Sequence, residues 1–264
     1  IGNNNLKLLA GASVTNAGNN NYVETNGTGL LIKEMTANAS KNFEVGDATH
    51  YAPISCVVVG TNYSNASLGA RSYTTGLTNK YSETTDYLNR AWQVNALGIA
   101  NYENTITGTC ADCDTHGSSS LIKGAYYTTD WKFDNSIGNA ASNQITAKTS
   151  DLNVKFSGMN FFGKANLTAF LGGAMTGSTM SKTLNTNGLI PLTTPYTASP
   201  FNAPSVTAPA IPVEATDWIL VEVRNASNPT NIISQTSAFI LSNGSIVNYD
   251  GAALRVKDAE DNGI

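Results

Sequence analysis

The densest set of chemically versatile side chains is the segment Cys110-Ala111-Asp112-Cys113-Asp114-Thr115-His116. Two cysteines three positions apart beside a histidine suit a local disulfide, a pair of unbonded thiols or a metal site. A zinc site needs a fourth ligand, and a redox-active pair needs a helix N-terminus in a thioredoxin-like unit. The sequence shows neither feature. We therefore favour a Cys110–Cys113 disulfide that staples a loop in an oxidising compartment, with the thiol pair and the metal as alternatives.

Groups that could catalyse a reaction are otherwise sparse. The only histidines are His50 and His116, and no serine-hydrolase elbow, zinc-protease motif or phosphate-binding loop occurs. A glycosidase needs two carboxylates that face each other across a cleft, and one cluster could supply them: Glu103, Asp112, Asp114 and Asp130. Because every reaction class needs a positioned acid, base or nucleophile, we predict no catalytic residue, no cofactor and no enzymatic activity.

Two further groups of residues have both a binding and a structural interpretation. The acidic stretch Asp258, Glu260, Asp261 and Asn262 could bind calcium, but its spacing does not match a twelve-residue calcium loop, so a solvated turn is favoured. The tryptophans Trp92, Trp131 and Trp218 could stack on sugars, but each lies in an alternating strand pattern, which favours packing in the core. Cys56 opens an apolar run and is expected to be a buried small hydrophobe.

The composition excludes several classes of protein. The chain has 264 residues, 15 Lys+Arg against 19 Asp+Glu, and only 13% charged residues, with about 30 each of Asn and Thr. A nucleic-acid-binding protein needs a basic stripe, and a membrane helix needs about 18 to 20 consecutive apolar residues; neither pattern is present. The 41% of hydrophobic residues can form a core, so a disordered chain is also disfavoured.

Short apolar and alternating runs separated by Asn and Gly predict an all-β protein. We predict tandem Ig-like β-sandwich modules, the first over 1–164 after a β-solenoid-like start and the second over 165–264. Residues 61–87 are predicted to be a long polar connection that contains at most one edge strand or a short turn of helix. Six of the eight prolines lie between 166 and 212, a density that excludes central strands there. A strand is expected after the turn at Asp261-Asn262-Gly263, so the second module is predicted to be incomplete without one.

Several motifs are distributed along most of the length of the chain. The order in which they occur is more specific than any one motif. They are Ile1-Gly2-Asn3-Asn4-Asn5-Leu6, Tyr22 to Gly29, Phe43 to Ile54, Leu88 to Val94, Gly188 to Tyr196 and Asp217 to Arg224. This series resembles repeats in large secreted surface proteins of Bacteroidota, although Glu44 stands where the repeat pattern prefers proline. The chain opens on Ile1 with no initiator Met and no export signal, so we expect a mature product or a piece of a longer polypeptide.

The resemblance implies export by the type IX secretion route, a place at the cell surface, and a role in adhesion, matrix or filament formation. It implies no catalytic residue. We therefore predict an extracellular structural protein that acts by self-association or by contact with neighbouring modules of the same polypeptide. The alternative is a carbohydrate-binding or adhesion module that contacts surface glycans. Exposed, coplanar aromatic rings among Tyr126, Tyr127, Trp131 and Tyr196 would favour that alternative.

Overall fold

The computed structural model describes residues 1–74, 77–81, 84–111, 114–133, 137–160 and 162–257. Within these residues the protein is all-β, as the sequence predicts. The chain divides into two compact units, Ile1–Asn160 and Phe161–Ile264. This division falls shortly before the predicted boundary at 164/165, because a strand at Phe162–Lys164 pairs within the second unit. No helix among the described residues has the length and apolar character needed to cross a membrane.

The first unit contains strands β1 to β16. They are β1 (Leu6–Leu8), β2 (Val23–Glu24), β3 (Leu31–Glu34), β4 (Ala39–Phe43), β5 (Val45–Gly46), β6 (Ile54–Val59), β7 (Asn62–Tyr73), β8 (Tyr87–Leu88), β9 (Ala91–Ala100), β10 (Glu103–Thr109), β11 (Thr115–His116), β12 (Ile122–Tyr127), β13 (Trp131–Lys132), β14 (Ile137–Asn139), β15 (Gln144–Thr149) and β16 (Asn153–Asn160). Short 3₁₀ turns occur at Ser119–Leu121 and Ala140–Ser142.

Two sheets of the first unit share one core. The larger sheet has the order β1-β3-β7-β9-β16-β12-β13, with β8 and β11 attached beside β16, and the smaller sheet has the order β14-β15-β10-β6-β4. Inward-facing side chains from both sheets form one buried cluster, to which Trp92 and Phe156 contribute from the larger sheet and Ile54, Cys56 and Ile106 from the smaller. Cys56 is completely buried, as predicted. The alternation of buried and exposed residues along β6 and β10 follows from the two-residue period of a strand.

The amino-terminal segment forms the only parallel pairs among the described strands. Leu6 pairs with Leu31 in β1 and β3, and Val23 pairs with Val45 in β2 and β5. Asparagine side chains connect the successive passes of the chain: the Thr28 N–H donates to Asn3 Oδ1 over 3.1 Å, and the Leu30 N–H donates to Asn5 Oδ1 over 2.9 Å. The asparagine side chains thus accept hydrogen bonds from backbone N–H groups that the short strands leave unpaired.

The prediction of a polar connection over 61–87 is wrong for its first half. Residues 62–73 form β7, a long strand at the centre of the larger sheet, between β3 and β9. Three of its four inward-facing side chains are small and the fourth is a leucine, and all four are buried: Ala66, Leu68, Ala70 and Ser72. Small side chains produce little hydrophobic contrast in the sequence, and this explains why periodicity does not reveal the strand.

The second unit contains strands β17 to β23 and one short helix. They are β17 (Phe162–Lys164), β18 (Met175–Thr176), β19 (Thr179–Met180), α1 (Thr183–Thr186), β20 (Ala215–Asn225), β21 (Asn228–Leu241), β22 (Ile246–Asn248) and β23 (Arg255–Lys257). Further 3₁₀ turns lie at Gly172–Ala174 and Pro195–Thr197.

A three-stranded antiparallel sheet of order β20-β21-β22 organises the second unit. The turn predicted at Ser242-Asn243-Gly244 joins β21 to β22, and Gly244 takes a φ of 87° that favours glycine. One face of the sheet packs against residues of the proline-rich segment, and the opposite face packs against Leu254, Val256 and Leu167. The proline-rich segment, residues 190–212, thus covers one face of the sheet without joining it as a strand, as its proline content predicts.

Candidate functional site

The predicted Cys110–Cys113 disulfide lies partly outside the described residues, because Asp112 and Cys113 are not among them. Cys110 is buried, and its N–H donates to the Asn143 carbonyl over 3.1 Å. The acidic stretch Asp258 to Asn262 also lies outside the described residues. Among the residues that the structure does describe, no three His, Cys, Asp or Glu side chains cluster closely enough to hold a metal ion.

The described members of the candidate carboxylate cluster have separate partners. Glu103 forms a partly exposed ion pair with Lys148 at 2.8 Å, whereas Asp130 accepts a hydrogen bond from the Tyr81 hydroxyl over 2.7 Å. Asp114 is buried beside Arg90. Each of these three described carboxylates is thus held by a partner other than a second carboxylate.

The aromatic residues expected to decide between core packing and sugar binding are mainly buried. Trp92, Trp131 and Trp218 are at most 2% exposed, which confirms the prediction of core packing. Tyr126 is also buried, and Tyr127 and Tyr196 are half-buried. These residues therefore form no open stacking platform of the kind that sugar-binding modules use.

A buried ionic network that sequence spacing does not reveal centres on Arg90. Its Nε donates to Asp114 Oδ2 over 2.6 Å, and its Nη1 donates to Asp47 Oδ2 over 3.0 Å and to Ser72 Oγ over 2.9 Å. The Arg90 side chain is fully buried. The Arg90 carbonyl in turn accepts a hydrogen bond from Ser157 over 2.6 Å. Since Ser72 and Ser157 lie on β7 and β16, the network joins the central strands of the larger sheet to two loops.

The local sequence around Asp47 keeps that carboxylate ionised. Burial opposes the charge, but the Thr49 hydroxyl and N–H, the Thr74 hydroxyl and the nearby Arg90 together hold the pKa of Asp47 well below its usual range. Thr49 donates to Asp47 Oδ1 from its hydroxyl over 2.6 Å and from its N–H over 2.9 Å. These contacts close a turn inside the protein, so the network holds this turn against the larger sheet.

A candidate interaction element is the outer edge of β20. Among the described residues β20 pairs only with β21, through partners such as Ile219 with Ala238 and Val221 with Thr236. The Leu241 N–H donates to the Ser245 carbonyl, so the N–H and C=O groups of Leu241 point towards β22. Because these groups alternate in direction along a strand, those of every second residue before Leu241 point the same way. The intervening residues of β21 therefore bond to Ile219 and Val221 on β20.

Alternation along β20 then places the backbone groups of Trp218, Leu220 and Glu222 on the outer edge. At Trp218 both groups are already bonded. Its N–H donates to Asp217 Oδ1 over 2.8 Å, and its carbonyl accepts from the Tyr196 hydroxyl over 2.8 Å. Among the described residues the edge is thus closed at Trp218 and open from Leu220 onwards.

Exposed apolar side chains lie near the far end of this edge. Ile232 and Ile233, at the far end of the β20–β21 hairpin, are exposed, whereas Val221 and Val223 are half-buried against the cluster that contains Leu254 and Val256. Ten of the seventeen exposed large hydrophobic side chains of the described residues belong to the second unit, which is the shorter of the two. An unpaired edge beside apolar surface is the combination that accepts another strand.

Comparison with known proteins adds no information on function, since no family model, curated protein or solved structure matches this chain. The inferences that follow therefore rest on the residues and their geometry.

The Tyr196 hydroxyl is expected to stabilise the second unit by closing the edge at Trp218. We expect Tyr196→Phe to lower the free energy of unfolding by about 1 kcal/mol, because the Trp218 carbonyl loses its partner. Urea denaturation followed by circular dichroism measures this change. Tyr127→Phe in the first unit is the matched control, since it removes a half-buried tyrosine hydroxyl that caps no strand edge. Equal stability of Tyr196→Phe and wild-type protein would contradict the role of this cap.

Proposed function

We propose that this chain is a structural β protein that acts by self-association, in which a strand of a second copy or of a neighbouring module adds to the open edge of β20. The observation that carries the proposal is the open edge from Leu220 onwards, directly after the closed position at Trp218. Main-chain hydrogen bonds along such an edge supply affinity, and the flanking side chains supply specificity.

The surface charge of the chain supports association between copies. Only 13% of the residues are charged and the net charge is −4, so two copies repel each other weakly. Near the edge, the charges of Glu222 and Arg224 are already paired with each other. A strand that approaches Leu220 therefore meets little uncompensated charge.

The finer fold assignment belongs to the same proposal. We assign each unit to an Ig-like β-sandwich class, supported in the first unit by two sheets that share one core. The first segment is proposed to be solenoid-like, supported by parallel pairs with partners 25 residues apart at Leu6 and Leu31 and 22 residues apart at Val23 and Val45. Secretion and a place at the cell surface are proposed from the resemblance of the motifs and from the amide-rich, charge-poor composition.

A substitution of Leu220 tests self-association. The Leu220 N–H points outward, so Leu220→Pro removes an edge donor without breaking a bond to β21. We expect wild-type protein to form larger species with rising concentration in analytical ultracentrifugation and ordered assemblies in negative-stain microscopy. Leu220→Pro should weaken this association about tenfold or more, because strand addition loses a hydrogen bond and meets the proline ring.

Leu220→Ala is the matched control, since it shortens the side chain but retains the N–H. It should associate far more strongly than Leu220→Pro, and circular dichroism should show that both variants are folded. If wild-type protein is monomeric at all concentrations, or if the proline variant assembles as wild-type protein does, the proposal fails.

A further inference from the structure

A second surface with binding chemistry lies on the outward face of the larger sheet of the first unit. Strand pairing places Arg71, Gln93, Lys155 and Tyr127 in one row across β7, β9, β16 and β12. Because cross-strand partners share a face, these four side chains all lie on the side opposite the core. Two cations therefore flank one amide on the same surface.

A parallel row two residues further along the strands forms a cleft. Pairing aligns Ile32, Gly69, Asn95 and Asn153 across β3, β7, β9 and β16. These residues line an open cleft of about 280 Å³, together with Leu30 and the exposed Leu97. Gly69 lets the Leu30 side chain pack closely on the sheet, because a Cβ there would lie 3.1 Å from Leu30 Cδ1. The cleft thus has amide groups on its floor and aliphatic walls.

The two cations are held in place without a carboxylate partner among the described residues. The Arg71 guanidinium donates to the Gly27 carbonyl over 2.7 Å and lies 4.5 Å from the centre of the Tyr73 ring. Lys155 Nζ donates to the Thr78 hydroxyl and lies 5.7 Å from the centre of the Tyr127 ring. Partial burial and the Arg71 charge lower the pKa of Lys155. Among the described residues neither charge is thus neutralised by an ion pair, and the Arg71 charge opposes that of Lys155.

Two carboxylates near this face are paired with other lysines. Glu34 pairs with Lys7 at 2.8 Å, and Asp151 pairs with Lys132 at 2.8 Å. Beside the cations, Gln93 Nε2 donates to Asn95 Oδ1 over 2.7 Å, which leaves the Asn95 amino group and Gln93 Oε1 as further donor and acceptor groups. An incoming anion would complete this arrangement.

We propose that the cleft and the neighbouring row together bind a carboxylate-bearing saccharide, with its hydroxyls on the amides of Asn95 and Asn153 in the cleft and of Gln93 in the row, and its carboxylate between Arg71 and Lys155 in the row. A saccharide fits better than an acidic peptide. The cleft lies on a sheet face, where the backbone groups of Gly69 and Asn95 belong to strands paired on both sides, so a peptide finds no edge to extend. Side-chain amides and cations instead match hydroxyls and a carboxylate.

Calorimetric titration with tetragalacturonate tests the proposal, with a neutral galactose tetramer and acetate as comparison ligands. We expect wild-type protein to bind tetragalacturonate, with little binding of either comparison ligand. Lys155→Met should weaken binding about tenfold or more, because one charge-assisted hydrogen bond is lost. Lys148→Met is the matched control, since it removes the same charge from the other sheet and should bind as wild-type protein does.

Asn95→Leu distinguishes a saccharide site from a simple anion site. It retains both cations but removes an amide, so it should weaken tetragalacturonate binding and leave any binding of acetate unchanged. Three results would overturn the proposal: no binding to wild-type protein, an equal loss in Lys155→Met and Lys148→Met, or equally strong binding of a polyglutamate peptide. Because the cleft lies in the first unit and Leu220 in the second, Leu220→Pro should retain saccharide binding.

Discussion

Replacement of Arg90 by leucine is expected to lower the free energy of unfolding of the first unit by about 3–5 kcal/mol. Arg90 is the only cation in contact with Asp47 and Asp114 among the described ion pairs, and Asp114 is almost completely buried. Without the guanidinium, two buried carboxylates lose their counter-charge, and Ser72 loses its donor. Removal of one partner from a buried ion pair costs more than its formation contributes, because the remaining charge stays desolvated.

Hydrogen exchange with mass spectrometry measures this effect within the first unit, since β7 and β9 flank the network and report its opening. Lys148→Met is the control: it removes a cation from the partly exposed pair with Glu103 and should change stability by less than about 1 kcal/mol. The triple variant Arg90→Leu, Asp47→Asn, Asp114→Asn should recover part of the loss, because no unpaired charge remains. If Arg90→Leu exchanges as slowly as Lys148→Met, the Arg90 network does not stabilise the sheet.

The Arg90 network also illustrates what the sequence does not reveal. Asp47, Ser72 and Asp114 lie 18 to 43 residues from Arg90 along the chain, and no local pattern distinguishes these four residues from surface residues. Only the pairing of β7, β9 and β16 brings them together. By contrast, strands with a short continuous apolar run, such as β6 and β20, can be predicted directly from the local sequence. Long-range polar contacts depend on the complete topology.

The open edge of β20 is a second feature that the sequence alone does not reveal. The sequence predicts a strand around Trp218, but the outward direction of a backbone group depends on strand pairing. In β20 the pairing includes a register shift between Ala215 and Asp217, which changes the face of every later residue relative to a regular strand. That shift has no clear signal in the sequence. The position of the open edge could therefore be obtained only from the structure.

The second large effect is expected for Trp218→Ala, which should lower the free energy of unfolding of the second unit by about 3–5 kcal/mol. Trp218 is 2% exposed, and its ring centre lies 4.0 Å from that of Phe239. Its Nε1 also donates to the Pro191 carbonyl over 2.8 Å. Alanine removes this packing and leaves a cavity below the proline-rich segment.

Trp218→Phe separates packing from hydrogen bonding. It keeps an aromatic ring against Phe239 but loses the donor to Pro191, so it should cost clearly less than Trp218→Ala, with about 1 kcal/mol from the lost hydrogen bond. Limited proteolysis gives a second readout, because loosening of the segment over Trp218 should expose residues 190–212 to cleavage. Equal cleavage of the alanine variant and wild-type protein would show that other contacts, such as that of Thr194 with Ser237 at 2.8 Å, hold the segment alone.

The same variant should also alter association, since Trp218 is where the β20 edge is closed. The Tyr196 hydroxyl reaches the carbonyl of residue 218 only while the proline-rich segment is in place. When Trp218→Ala loosens that segment, the open edge extends from Leu220 back to residue 218 and offers a longer row of unpaired groups. We therefore expect Trp218→Ala to associate more strongly than wild-type protein in analytical ultracentrifugation, and addition of Leu220→Pro to reverse that increase. Stronger association that persists in the double variant would instead originate from exposed core residues and not from the strand edge.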